Sequence, residues 1–179
     1  MALGNASMVE IKPSTQIFFG NPSNKIKIHL FGDYEDAATA QAHLLAKQMV
    51  EKYPEEVVYS FRHFPLTKIH QQAHKAAEAA VGAAQEGKFW EMHERLLAEK
   101  HLGTISLKTY AKDIGISDKK FFDKLMNSTY GWSVREDLLQ GLEKGVRSVP
   151  CFVVNEVSIL DEKDWNKLPK LIKQLLSEL

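Results

Sequence analysis

Sulfur is what this sequence has least of: one cysteine, Cys151, in 179 residues. A single thiol cannot close an intramolecular disulfide, run a two-cysteine redox cycle within one chain, or build a multi-cysteine metal site. An excess of charge is missing as well, since Lys+Arg and Asp+Glu each number 23. No net field then draws the chain to nucleic acid or to an anionic membrane surface. No apolar run reaches the roughly 18 residues that a membrane-spanning helix needs. The opening "MALGNASMVEIKPSTQ" lacks the basic and then apolar pattern of a secretory signal. As given, the chain reads as cytoplasmic, or as extracytoplasmic if a signal has been removed. Repeats and low-complexity tracts are absent.

What is present suits one globular domain: 44% hydrophobic and 26% charged residues, with enough length to bury a full core. Residues 1–24, polar and punctuated by Pro13, Gly20 and Pro22, read as a loosely held lead-in. "KIKIHLF" (25–31) alternates with the period of a strand. "AATAQAHLLAKQMVEKY" follows as a helix capped by Asp36 or a neighbour and stopped by Pro54. "EVVYSFRHF" is a second strand.

From Leu66 to about Lys144 the pattern turns helical, with breaks at Gly87 and Gly103 and an end at Gly145. Within it, "SLKTYAKDIG" and "SDKKFFDKLMN" each open on a serine able to cap a helix. Phe89, Trp90 and Met92, like Phe121, Phe122 and Leu125, form apolar stripes suited to the core. Gly141 suits close packing. "VPCFVVN" and "EVSIL" read as a closing hairpin, and a final helix begins or breaks near Pro169. Asn155-Glu156 at the hairpin predicts a looser turn than the type I′ that Asn-Gly favours. The order gives an α/β, thioredoxin-like fold: residues 25–65 and 145–179 make the sheet-bearing part, and residues 66–144 a helical insertion between its βαβ and ββα halves.

Four blocks carry a closer likeness. "FGDYE" before a helix, "FRHFPL", "HQQAHKAAEAAVGAAQEGKFWEMHERL" and "GVRSVPCFVVN" resemble, in order and spacing over about residues 18–178, the DsbA-like thioredoxin-fold protein-disulfide oxidoreductases. That family shows F-x-D-Y-x-C-P-x-C at the first block. Here Asp36 stands in place of the attacking cysteine, Ala37 and Ala38 follow, and Thr39 replaces the buried cysteine. The family's chemistry needs a helix-end thiolate and a second sulfur to resolve the mixed disulfide. Neither exists in this sequence. Asp36 reads as an N-cap, and Thr39 as a hydroxyl bonding a backbone carbonyl in the first turn. The resemblance also makes Val149-Pro150 the family's cis-proline, which would present backbone to an extended peptide.

The expectation is a redox-inactive relative that binds a peptide, protein segment or small ligand in a groove of Tyr34, Asp36, Thr39, Val149 and Pro150, with no cofactor. The alternative is a thiol-dependent oxidoreductase using Cys151 with an external thiol such as glutathione. Against that stands Cys151 as a small buried hydrophobe opening the strand "CFVV". Asp36 and Thr39 are poor matches for a glutathione site. His70, His74 and His93 invite a metal reading, but without an HExxH arrangement they suit surface or capping roles, and no metal is expected. His63 is expected to pack or hydrogen-bond beside Arg62. Oligomeric state is not legible.

Overall fold

Alternation in "IKIHLFG" sets the first strand, β1 (Ile26–Gly32), with Ile26, Ile28 and Leu30 turned into one core. These coordinates, a computed structural model, describe residues 10–179; expectations for residues 1–9 lie outside them. A helix, α1 (Ala37–Lys52), crosses from β1 to a parallel strand, β2 (Val57–His63). Five helices follow: α2 (Ala73–Gln85), α3 (Phe89–Ala98), α4 (Thr104–Asp113), α5 (Lys119–Met126) and α6 (Gly131–Glu143). The chain returns as β3 (Cys151–Val154), antiparallel to β1, turns into β4 (Ser158–Leu160), and ends on α7 (Leu168–Ser177), with Pro169 in its first turn. The sheet order is β2-β1-β3-β4. This is the expected mixed α/β thioredoxin-like architecture, its helical block placed between β2 and β3.

Two cores flank the sheet. Ile26, Ile28, Leu30, Phe152 and Val154 join Ala42, Ala46 and Val50 of α1 and Leu168 and Ile172 of α7. On the other face Phe31, Phe64, Val146, Val149, Cys151 and Val153 form a second cluster, against which Leu138 of α6 packs. Helix α6 comes this close because of Gly141. A Cβ there would lie 2.9 Å from the rings of both Phe31 and Phe64, inside van der Waals contact.

Three expectations are corrected. The lead-in is anchored from Ser14 onward: Ile17 is buried, Phe19 bridges Tyr59 on the outer edge of β2, and the Ser14 hydroxyl donates to Asp137 at 2.5 Å. That bridge covers an edge whose backbone groups would otherwise be unpaired. Neither expected serine caps its helix. Helix α4 starts earlier, behind Gly103, so Ser106 lies inside it; α5 is capped by Asp118, whose carboxylate accepts from the Lys120 N–H and also meets the helix's positive end. The hairpin turn is tight rather than loose. Asn155 (φ 49°) and Glu156 (φ 65°) both take left-handed backbone while the Val157 N–H donates to the Val154 carbonyl, the sign pattern of a type I′ turn. Glu156 is held in that costly conformation by contact with His29 Nε2 at 3.1 Å and by an ion pair to Lys144. Asn155 is held by exchanging bonds with the Lys27 backbone.

Candidate functional site

The site forms where β1 runs out at Gly32. There the chain turns through Asp33, Tyr34, Glu35 and Asp36 into α1. Three carboxylates within four residues each capture backbone N–H groups. Asp33 is buried; it accepts from the Glu35 N–H at 2.7 Å, from the Leu66 N–H at 2.7 Å, and pairs with His70 Nδ1 at 2.9 Å. Glu35 accepts from the Gln72 and Ala73 N–H groups at 2.9 and 2.8 Å, capping α2, whose own N-cap residue supplies no side-chain bond. Asp36 caps α1 by accepting from the Thr39 N–H at 2.7 Å, as its position predicts.

Thr39 departs from expectation. Its hydroxyl donates to the Asp36 carboxylate at 2.7 Å, not to a backbone carbonyl, and accepts from the Asp33 N–H at 3.3 Å. An ionised oxygen is the stronger acceptor, and the cap places it within reach. Asp33, Asp36 and Thr39 therefore form a closed polar clasp. Nothing in it is a free nucleophile.

His70 is the titratable group of the clasp. Burial acts most strongly on it and favours the neutral ring, but the bond to Asp33 and the charges of Asp33, Glu35 and Asp36 together outweigh that, and its pKa is raised above 6.5. The imidazolium is thus favoured beside three carboxylates.

Because Phe31 pairs with Cys151, the β1–β3 register sets Pro150 alongside Gly32, and the Val149–Pro150 bond is cis. Both residues are buried, Val149 among Phe31, Phe64 and Val146. Cys151 follows at 1% exposure, and burial, helped by the charge of Asp161, pushes its thiol up to about 11. It sits as a small buried hydrophobe.

An open cavity of about 400 Å³ lies beside the clasp, with Tyr34, Asp36, Ala37 and Ala40 on one wall and Leu97 and Leu102 on the other. Of the five residues expected to form a groove, Tyr34 and Asp36 line this cavity. Thr39, Val149 and Pro150 are enclosed behind the surface.

Beneath Tyr34 lies a cluster that sequence reading missed. The Tyr34 hydroxyl meets His93 Nδ1 at 2.7 Å, His93 Nε2 meets His43 Nδ1 at 3.2 Å, and the Tyr59 hydroxyl meets the same His43 nitrogen at 3.0 Å. His43 Nε2 lies 3.9 Å from Glu94, too far for a hydrogen bond. His63 packs among Tyr34, Phe61 and Phe89, and neither of its ring nitrogens has a partner. All three histidines are buried, and desolvation keeps them neutral, lowering His43 and His63 to about 4 and His93 well below its usual value. The signal for His43 was present: with Thr39, Ala46 and Val50 it falls on the buried stripe of α1. As for a metal, His70 is paired with Asp33, His74 with Glu78 and His93 with His43. Among the described residues no group of three or more His, Cys, Asp or Glu is placed to hold one. Nor, among them, is any helix long and apolar enough to cross a membrane.

Known proteins place this arrangement. Among solved structures, BdbD from Bacillus subtilis superposes with a TM-score of 0.77 at 18% identity, covering 89% of this chain and 92% of that one. A thioredoxin-like oxidoreductase from Silicibacter pomeroyi gives 0.76 at 20% identity, covering 90% and 92%. The catalytic domain of Proteus mirabilis ScsC gives 0.73 at 22%, covering 89% and 88%. In sequence, the chain is 31% identical over 149 residues to a protein of Salinispora tropica named Na(+)/H(+) antiporter NhaA 3, and 30% identical to one of Salinispora arenicola named Na(+)/H(+) antiporter NhaA 1. Each match takes in 83% of this chain and 23% of the relative, so the chain spans about a quarter of those proteins' length. The family described as thioredoxin matches residues 12–174. The chain therefore belongs to the thioredoxin family and folds as its DsbA-like members do.

Proposed function

We propose that this chain is a binding member of its family that performs no thiol-disulfide exchange and takes an extended peptide segment in the cavity beside Tyr34 and Asp36. One observation carries the reading: the helix end that would activate a thiolate is filled by the Asp36–Thr39 clasp, while an open cavity remains beside it. Val149 and Pro150, packed at the same end of the sheet, serve as the enclosed support of that site. The monothiol alternative with glutathione needs Cys151 to meet solvent, and burial at 1% exposure argues against it. In the relatives named as antiporters the matched stretch is a minor part of a longer chain. A segment of a companion domain or chain is accordingly the peptide proposed.

The test is an NMR titration of the ¹⁵N-labelled protein with a panel of unstructured octapeptides. Binders are expected to shift the amides of Tyr34, Asp36 and Ala37 saturably. Ala37→Trp, at an exposed position on the cavity wall, is expected to weaken those binders about tenfold or more while leaving the unfolding temperature in place. A panel in which no peptide moves these amides, or binders indifferent to Ala37→Trp, would overturn the reading.

A further inference from the structure

A second open cavity lies elsewhere, between the loop after β2 and helix α6. It encloses about 570 Å³, and its walls are mostly apolar: Pro65, Trp132, Leu138 and Leu139, with Thr67 and Arg135 among the polar groups. That volume falls in the range of small-molecule sites. Two features are unusual for an idle surface. Trp132 is 66% exposed and Leu139 43%, although both are large and apolar. Arg135, one turn along from Trp132, has its guanidinium 6.0 Å from the indole centroid and, among the described residues, no carboxylate within ion-pair distance.

No aspartate or glutamate lines the cavity. Behind the wall lies Glu78, whose carboxylate is 3.5 Å from where a Cβ on Gly131 would sit. Its charge is already compensated by Lys75 at 2.9 Å and His74 at 3.2 Å. The Arg135 guanidinium lines the cavity beside the Trp132 indole and, among the described residues, has no ion-pair partner.

We propose that this cavity binds an apolar or aromatic group carrying a carboxylate, with the Arg135 fork on the carboxylate and the apolar body between Trp132 and Leu139. A guanidinium matches a carboxylate with two parallel bonds, and the indole 6.0 Å away offers it a favourable aromatic neighbour. An indole face also receives an aromatic ring without loss of burial for either partner. Two sources share this chemistry: a small aromatic acid, and the C-terminal residue of a peptide ending in an aromatic side chain. The site does not involve the clasp or the Tyr34 cavity, so it stands or falls apart from the peptide reading above.

The probe is N-acetyl-L-phenylalanine, compared with its neutral amide, in an NMR titration that follows the indole N–H of Trp132 among the three tryptophans. The acid is expected to shift that signal saturably and to bind about tenfold or more tightly than the amide, the usual reach of a charge-assisted bond. Arg135→Gln is expected to remove the difference between acid and amide, and Trp132→Leu to weaken both. Both positions are exposed, so unchanged unfolding temperatures in the variants confirm that the fold is intact. N-acetyl-Gly-Gly-Phe with a free carboxylate separates the sources: tighter binding than the single residue marks a peptide terminus, weaker binding a small acid. Equal binding of acid and amide, no saturable shift, or a preference for the acid that survives Arg135→Gln would each overturn the proposal.

Discussion

Asp137→Ala is expected to cost about 3–5 kcal/mol of folding stability, the usual effect of stripping one partner from a buried ion pair. Asp137 is 3% exposed and accepts from three donors, two on β2 and one in the lead-in. It accepts from Arg62 Nε at 2.8 Å, from the His63 N–H at 3.0 Å and from the Ser14 hydroxyl at 2.5 Å. Without it the Arg62 guanidinium, also 3% exposed, keeps only its bond to Gln140. A charge left in the interior with so little compensation is expensive, whereas removing both charges together is far less so. Urea unfolding of Asp137→Ala, Arg62→Met and the double variant checks this. The double variant is expected to lose clearly less than the sum of the two single losses. Additive losses would mean that Arg62 and Asp137 are not coupled as the geometry requires.

The second large effect is an acid-side loss of stability. His43 and His63 have folded pKa values of about 4, and burial holds His93 well below its usual value, against roughly 6.5 in an unfolded chain. Below pH 6.5 the unfolded state therefore binds protons that the folded state refuses. The stability from keeping these rings neutral is complete above pH 6.5 and is lost as pH falls toward 4. Each such group contributes a limiting slope of about 1.4 kcal/mol per pH unit. With three groups, the loss below pH 6 is expected to be steep. His70 works in the opposite sense. Its folded pKa is raised, so the contribution of its pair with Asp33 is present below pH 6.5 and disappears as pH rises through the folded value. Urea unfolding from pH 4 to 9 is expected to show a maximum near neutrality. His63→Phe removes a ring with no hydrogen bonds to lose, and is expected to flatten the acid limb by about a third and to raise stability at pH 5. An acid limb unchanged by His63→Phe would contradict the assignment.

Most of the fold was legible because local signals agreed with one another. Alternation in Lys25–Phe31, the Asp36 cap, and the breaks at Pro54, Gly87 and Gly145 fall where the elements begin and end. The missing sulfur was legible too, since absence needs no geometry. What could not be read were bonds between residues far apart in the chain. Glu35 caps a helix 37 and 38 residues away, His43 meets His93 across 50 residues, and Arg62 meets Asp137 across 75. The hairpin shows the same limit. Local preference disfavours Glu156 in left-handed backbone, and the partners that hold it there, His29 and Lys144, come from β1 and from the end of α6. Val149, Pro150 and Thr39 were placed at the right end of the sheet by resemblance. Their burial depends on how α1, β3 and the second core close around them, which no single motif encodes.

The central claim is that function here rests on binding, because no sulfur is reachable for exchange. The most direct measurement is the rate of Cys151 alkylation by iodoacetamide in the native protein across pH 5 to 10, beside an unfolded control. Burial at 1% exposure and a thiol pushed up to about 11 lead us to expect modification no faster than global unfolding, and full reaction in the control. Rapid native alkylation with an apparent pKa below about 8.5 would contradict the account and make Cys151 the centre of a monothiol enzyme.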